Sequence, residues 1–116
     1  MDQDTARAVA NIQEHRAKLQ SELEAPILRG QNYVLMTPDG WCARMTDDGT
    51  GIMFRGALLA TRLTEQDARK IAATLPDIPP AWGPKGTRLA PVPYLDALRE
   101  NIAGVDRVIE SLQFRA

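Results

Sequence analysis

The sequence predicts an α+β fold in which long amphipathic helices at the N- and C-termini pack together and flank a small antiparallel β-hairpin or three-stranded sheet with a short helix. Three observations carry this expectation. No Gly or Pro occurs between Thr5 and Glu24, the apolar residues from Leu95 to Leu112 follow an unbroken 3-4-3-4-3 spacing, and the intervening chain alternates β-prone runs with turn signals.

In the N-terminal segment, residues 1–28, Val9, Ile12, Leu19 and Leu23 recur at the spacing that places side chains on one helical face. Asp2 or Asp4 suits the N-cap, Glu14 and Lys18 form an i,i+4 pair, and Pro26 marks the stop. Arg16 interrupts the stripe between Ile12 and Leu19. Its simplest reading is an aliphatic stem lying over the core with the guanidinium reaching water; the sharper one is a partner carboxylate, Asp106 or Glu110.

Residues 33–75 read as a ββ(β)α module. Tyr33-Val34-Leu35-Met36 is one β-prone run, Pro38-Asp39-Gly40 a turn, and Trp41 to Met45 a second run. After the turn-rich Asp47-Asp48-Gly49-Thr50-Gly51, Ile52-Met53-Phe54 and Leu58-Leu59-Ala60 are expected to form a third strand with Gly56 as a bulge or bend. Thr64-Glu65-Gln66-Asp67 has the form of a capping box with Asp in place of Glu or Gln, and Ala68, Ile71, Ala72 and Leu75 give the following helix one apolar face, ended by Pro76.

Residues 76–93 hold six of the eight prolines and read as a loop containing Trp82, either tucked into the core or presented to a partner. In residues 94–116, Leu95, Leu98, Ile102, Val105, Ile109 and Leu112 form the second helical stripe, interrupted by no polar residue and weakened only by Gly104. Packing against the first helix is the expected use of that stripe; a homodimer through the C-terminal helix is the alternative.

A length of 116 residues with 44% hydrophobic and 25% charged residues suits one domain, 1–116, with a modest core. The formal charge of −1 is spread as about +2 over residues 29–93 and about −3 over the two ends, far from the concentrated basic patch of a dedicated nucleic-acid binder. A lone cysteine, Cys42, makes no intramolecular disulfide, and neither a signal-peptide pattern nor a membrane-length apolar run is present, so a cytoplasmic location is expected.

The stretch Tyr33-Val34-Leu35, Pro38-Asp39-Gly40-Trp41, Ala60-Thr61-Arg62-Leu63-Thr64, Asp67-Ala68, Ile71-Ala72, Leu75 resembles a small ββ(β)α module of short phage and mobile-element proteins. The resemblance spans about residues 33–75, rests on structural motifs and transfers no catalytic residue. It implies a small accessory protein that binds and blocks a host protein, and the chain is similar in size to the anti-CRISPR inhibitors.

Enzyme chemistry finds little footing. Nucleophilic catalysis by Cys42 needs a histidine beside it, and the sole histidine, His15, sits on the first helix. One His and one Cys cannot assemble an ordinary transition-metal site, Asp47-Asp48 lacks the alternating ligands of a calcium loop, and Gly49-Thr50-Gly51 lacks the lysine of a phosphate cradle. No metal, cofactor or catalytic residue is therefore assigned. The expected function is a non-enzymatic protein-binding module, with Trp82, Arg88, Arg62 and Arg69 as candidate contacts because Trp and Arg supply most interface hot spots. The alternatives are a nucleic-acid-associated regulator using Arg44, Arg55, Arg62 and Arg69, and a subunit of an enzyme completed by another chain.

Overall fold

The structure, a computed structural model, describes residues 2–26, 30–46, 51–74 and 88–114. Helix α1 runs over Gln3–Glu24, strand β1 over Tyr33–Met36, β2 over Cys42–Met45, β3 over Ile52–Arg55, helix α2 over Glu65–Thr74, strand β4 over Ala90–Pro93 and helix α3 over Tyr94–Phe114. The chain divides into two compact units, Met1–Ile27 with Leu98–Ala116, and Leu28–Ala97.

In the helical unit α1 and α3 pack together as their stripes predict. Asp2 caps α1: its Oδ1 accepts the Thr5 N–H at 2.7 Å, and this bond holds the Asp2 carboxyl below the usual carboxylate range. The cap is thus fully formed above that range and weakens as pH falls through it. Val9 and Leu19 are buried on α1, and Leu98 and Ile102 on α3. Arg16 takes the partner carboxylate that the sharper reading named: its Nε donates to Asp106 Oδ1 at 2.5 Å and its Nη2 to Oδ2 at 3.3 Å, a fork-to-carboxylate pair joining α1 to α3. Asp106 holds the guanidinium pKa above its ordinary value. Gly104 is not required for close approach, since a methyl group there would meet only Arg107 Nη2 at 3.7 Å. Gly104→Ala is therefore expected to raise stability by about 1 kcal/mol in urea unfolding, the helix-propensity difference between the two residues.

The β unit holds a four-stranded antiparallel sheet in the order β3-β2-β1-β4. Its first hairpin turns where Pro38-Asp39-Gly40 signals: Gly40 N–H donates to Thr37 O at 3.0 Å and Thr37 N–H to Trp41 O at 2.8 Å, with Gly40 at φ +89°. Past Met36 and Cys42 the strands β1 and β2 diverge, and residues 61–63 fill the gap. Thr61 N–H donates to Ala43 O at 3.1 Å, Met45 N–H to Thr61 Oγ1 at 2.8 Å, and Tyr33 and Leu63 exchange both backbone bonds. The AT-R-L-T segment of the sequence is thus a wedge that completes the sheet.

Two expectations for this region are corrected. Leu58-Leu59-Ala60 does not extend a third strand; Ala57–Leu59 forms a short 3-10 turn closed by Leu59 N–H to Gly56 O, and strand β3 ends at Arg55. The expected loop 76–93 ends in a strand, β4, which pairs with β1 through Tyr33↔Pro93, Val34↔Val92, Leu35↔Pro91 and Met36↔Ala90. Prolines fit here for a geometric reason. Tyr33 spends its N–H and C=O on Leu63, so the Tyr33↔Pro93 and Leu35↔Pro91 pairs are the non-hydrogen-bonded ones and both proline nitrogens face away from β1.

Helix α2 begins with Thr64 Oγ1 accepting the Asp67 N–H at 3.1 Å, the half of the expected capping box that satisfies an orphan donor of the first turn. It packs on β1 and β4, burying Ala68 with Leu35, Ala43 and Leu89, while Tyr33, Met45, Ile52, Phe54, Leu63, Ile71 and Ala72 close around them. The period-2 alternation of the strands therefore sends Leu35, Ala43 and Phe54 to the α2 side and Val34, Cys42, Arg44, Met53 and Arg55 to the other.

Candidate functional site

The candidate contacts read from the sequence fall in different places. Trp82 lies outside the described residues. Arg88 is exposed just ahead of buried Leu89. The Arg62 guanidinium lies 4.7 Å from the centre of the Tyr94 ring, a cation–π contact with a ring that is itself buried. Arg69 is exposed on α2, where its Nη2 stands 2.9 Å from Glu65 Oε1. Arg62 and Arg69 thus already hold intramolecular partners.

Arg44 and Arg55 are brought together. Register pairs Arg44 with Met53 and Cys42 with Arg55, which sets Arg44, Met53 and Arg55 on the sheet face opposite α2. The contacts among them are direct: Arg55 Nη2 approaches Met53 Sδ at 3.7 Å, and Arg44 Nη1 donates at 2.9 Å to the carbonyl of Leu59. Both arginines are exposed, Met53 is 39% and Leu59 55% exposed, and among the described residues neither guanidinium meets a carboxylate. The result is a surface on which strand pairing sets Met53 beside both guanidiniums, with Leu59 next to Arg44. Because Arg69 and Lys70 belong to α2, on the far side of the sheet, the arginines of 44–70 do not form one basic surface.

Trp41 is a further exposed aromatic, 55% accessible, and its backbone is held on both sides: its N–H donates to Thr37 Oγ1 at 3.1 Å and its carbonyl accepts from Thr37 N. The sequence flagged the other tryptophan. The signal for Trp41 was its position directly after a Pro-Asp-Gly turn, where a hairpin presents rather than buries a side chain.

Cys42 is fully buried, and burial pushes its thiol from 9.0 up to about 11. A thiol reagent should therefore label it slowly in the native protein at neutral pH and rapidly after denaturation. The sign of the pH effect follows: the folded thiol ionises later than the unfolded one, so its contribution is intact below pH 9.0 and stability falls as pH rises toward about 11. Fast native labelling would contradict this placement.

His15 is exposed on α1. Among the described residues no group of three or more His, Cys, Asp or Glu is placed to hold a metal ion, and no helix is long and apolar enough to cross a membrane. The fold thus defines the chain as an α+β protein with a paired-helix unit and an antiparallel sheet covered on one face by a short helix. No protein-family model, curated protein or solved structure matches it.

Proposed function

We propose that this chain is a non-enzymatic protein-binding module, an inhibitor of a host nucleic-acid-processing complex of the kind that phages and other mobile elements carry. The observation that carries the reading is the surface of Arg44, Met53, Arg55 and Leu59: exposed Met53 on strand β3 and exposed Leu59 in the turn after it, beside guanidiniums without carboxylate partners among the described residues. Apolar anchors beside arginine are the composition of interface centres. The resemblance of residues 33–75 to mobile-element modules supports the inhibitory role, and the buried, protonated Cys42 supports the non-enzymatic one.

A nucleic-acid-associated role is the second reading, favoured by Arg44 and Arg55 sharing one face. Affinity capture of a host protein with the tagged chain tests the two together. Met53→Asp should lose the captured protein at unchanged melting temperature, and added salt should alter wild-type binding only modestly. Binding to nucleic acid whose log affinity falls steeply with log salt, unaffected by Met53→Asp, would replace the first reading with the second.

A further inference from the structure

The two edges of the sheet differ in what they offer. On β4 the outward positions are Pro91 and Pro93, which have no N–H, so this edge cannot donate there to an added strand. On β3 the parity of pairing is fixed from inside the sheet. Thr46 N–H donates to Gly51 O at 3.0 Å, while Ala43 and Met45 spend backbone groups on Thr61. Hence Arg44↔Met53 and Cys42↔Arg55 are the hydrogen-bonded pairs, and Ile52 and Phe54 direct their N–H and C=O groups away from β2.

One of those outward groups shows the direction independently: Arg55 Nη1 donates at 2.8 Å to the carbonyl of Phe54. The arginine covers an acceptor of its own open edge. Among the described residues no strand pairs with β3 on that side.

We propose that the outer edge of β3 takes up an extended acidic segment of a partner protein as a fifth strand, with a carboxylate of that segment on Arg55. The inference rests on the protein-binding reading above and names its partner chemistry. Strand addition satisfies the N–H and C=O groups of Ile52 and Phe54 with main-chain bonds. A partner N–H that replaces Arg55 on the Phe54 carbonyl releases the guanidinium toward the neighbouring side chain of the new strand, which stands one strand spacing, about 4.8 Å, away. Alternation places every second partner side chain on the Met53 and Arg55 face. A carboxylate there forms a charge-assisted pair, and an apolar neighbour lies along Met53. Arg44, one strand further in, adds to the positive field that favours an acidic over a basic segment.

The experiment uses the full chain and a soluble peptide of alternating valine and glutamate as probe, with its valine–lysine counterpart as control. At saturating peptide the amide protons of Ile52 and Phe54 are expected to exchange with solvent at least about tenfold more slowly, and Arg55→Glu to weaken binding at least about tenfold with an unchanged amide fingerprint elsewhere. Arg44→Glu serves as a second charge variant, expected to weaken binding less. The proposal is overturned if the glutamate peptide does not bind at millimolar concentration, if the lysine peptide binds equally well, or if binding leaves the Ile52 and Phe54 amides unchanged. Protection of those amides without peptide, with a dimer mass in sedimentation, also overturns it by seating a second copy on the edge. A captured host protein that depends on Met53 while these amides stay indifferent would retain the module reading and remove strand addition alone.

Discussion

Leu35→Ala is expected to lower unfolding free energy by about 3 kcal/mol and the melting temperature by about 10 °C, among the largest effects of any single truncation in the β unit. Leu35 is 1% exposed and belongs to the buried cluster with Ala43 of β2, Ala68 of α2 and Leu89 just ahead of β4, so its truncation opens a void where these segments meet. The small residues around it limit collapse into the void, because alanine at 43 and 68 has no side chain with which to refill it. Urea unfolding of the variant beside wild type measures the difference. A change below about 1 kcal/mol would mean that this cluster is not the core of the sheet.

Ending the chain after Ala97 is expected to remove α1 as a stable helix together with α3. The buried residues of α1 are Val9 and Leu19, both on the stripe that pairs with α3, and an isolated helix of 22 residues in water draws little stability from propensity alone. The Asp2 cap and the exposed Glu14–Lys18 pair, at 3.9 Å, are too weak to hold it. Circular dichroism of the shortened chain should therefore lose the helical signal of both elements, beyond the share of the deleted residues. Retention of the α1 signal would show that the two terminal helices do not depend on each other.

Much of this architecture was legible because it rests on local rules. The 3.6-residue periodicity of Val9, Ile12 and Leu19, and of Leu98, Ile102 and Val105, marked both long helices, and Thr64 with Asp67 marked the start of α2. Strand β4 was hidden because proline argues against a strand until its neighbours are known. Pro91 and Pro93 are acceptable only because Leu63 occupies the hydrogen-bonding groups of Tyr33, a pairing between residues thirty positions apart. The 3-10 turn at Ala57–Leu59 was hidden for a related reason: the apolar run Leu58-Leu59-Ala60 reads as strand by composition, and only the wedge of Thr61 to Leu63 fixes where the chain must turn.

The candidate surface depends on register, which composition does not encode. Arg44, Arg55, Arg62 and Arg69 look alike along the sequence, yet pairing sends the first two to exposed positions on the sheet face opposite α2, sets Arg62 over Tyr94 and leaves Arg69 beside Glu65. A one-residue slip of β3 would exchange Met53 for Phe54 on that face and dissolve the patch. Arg16 is the helical counterpart: the sequence left both a stem over the core and a partner carboxylate open for it, and the packing of α1 on α3 sets Asp106 beside it.

The most direct test of the proposed surface compares two sets of variants for affinity to the captured partner and for melting temperature. Met53→Asp and Arg55→Glu alter the sheet patch, and Trp82→Ala and Arg88→Ala alter the proline-rich segment singled out by residue type. Each patch variant is expected to weaken binding by at least about tenfold, or about 1.4 kcal/mol, with the melting temperature nearly unchanged, while the second set binds close to wild type. Wild-type affinity in both patch variants, with binding lost in Trp82→Ala or Arg88→Ala, would contradict the assignment of the interface to the face of Arg44, Met53 and Arg55.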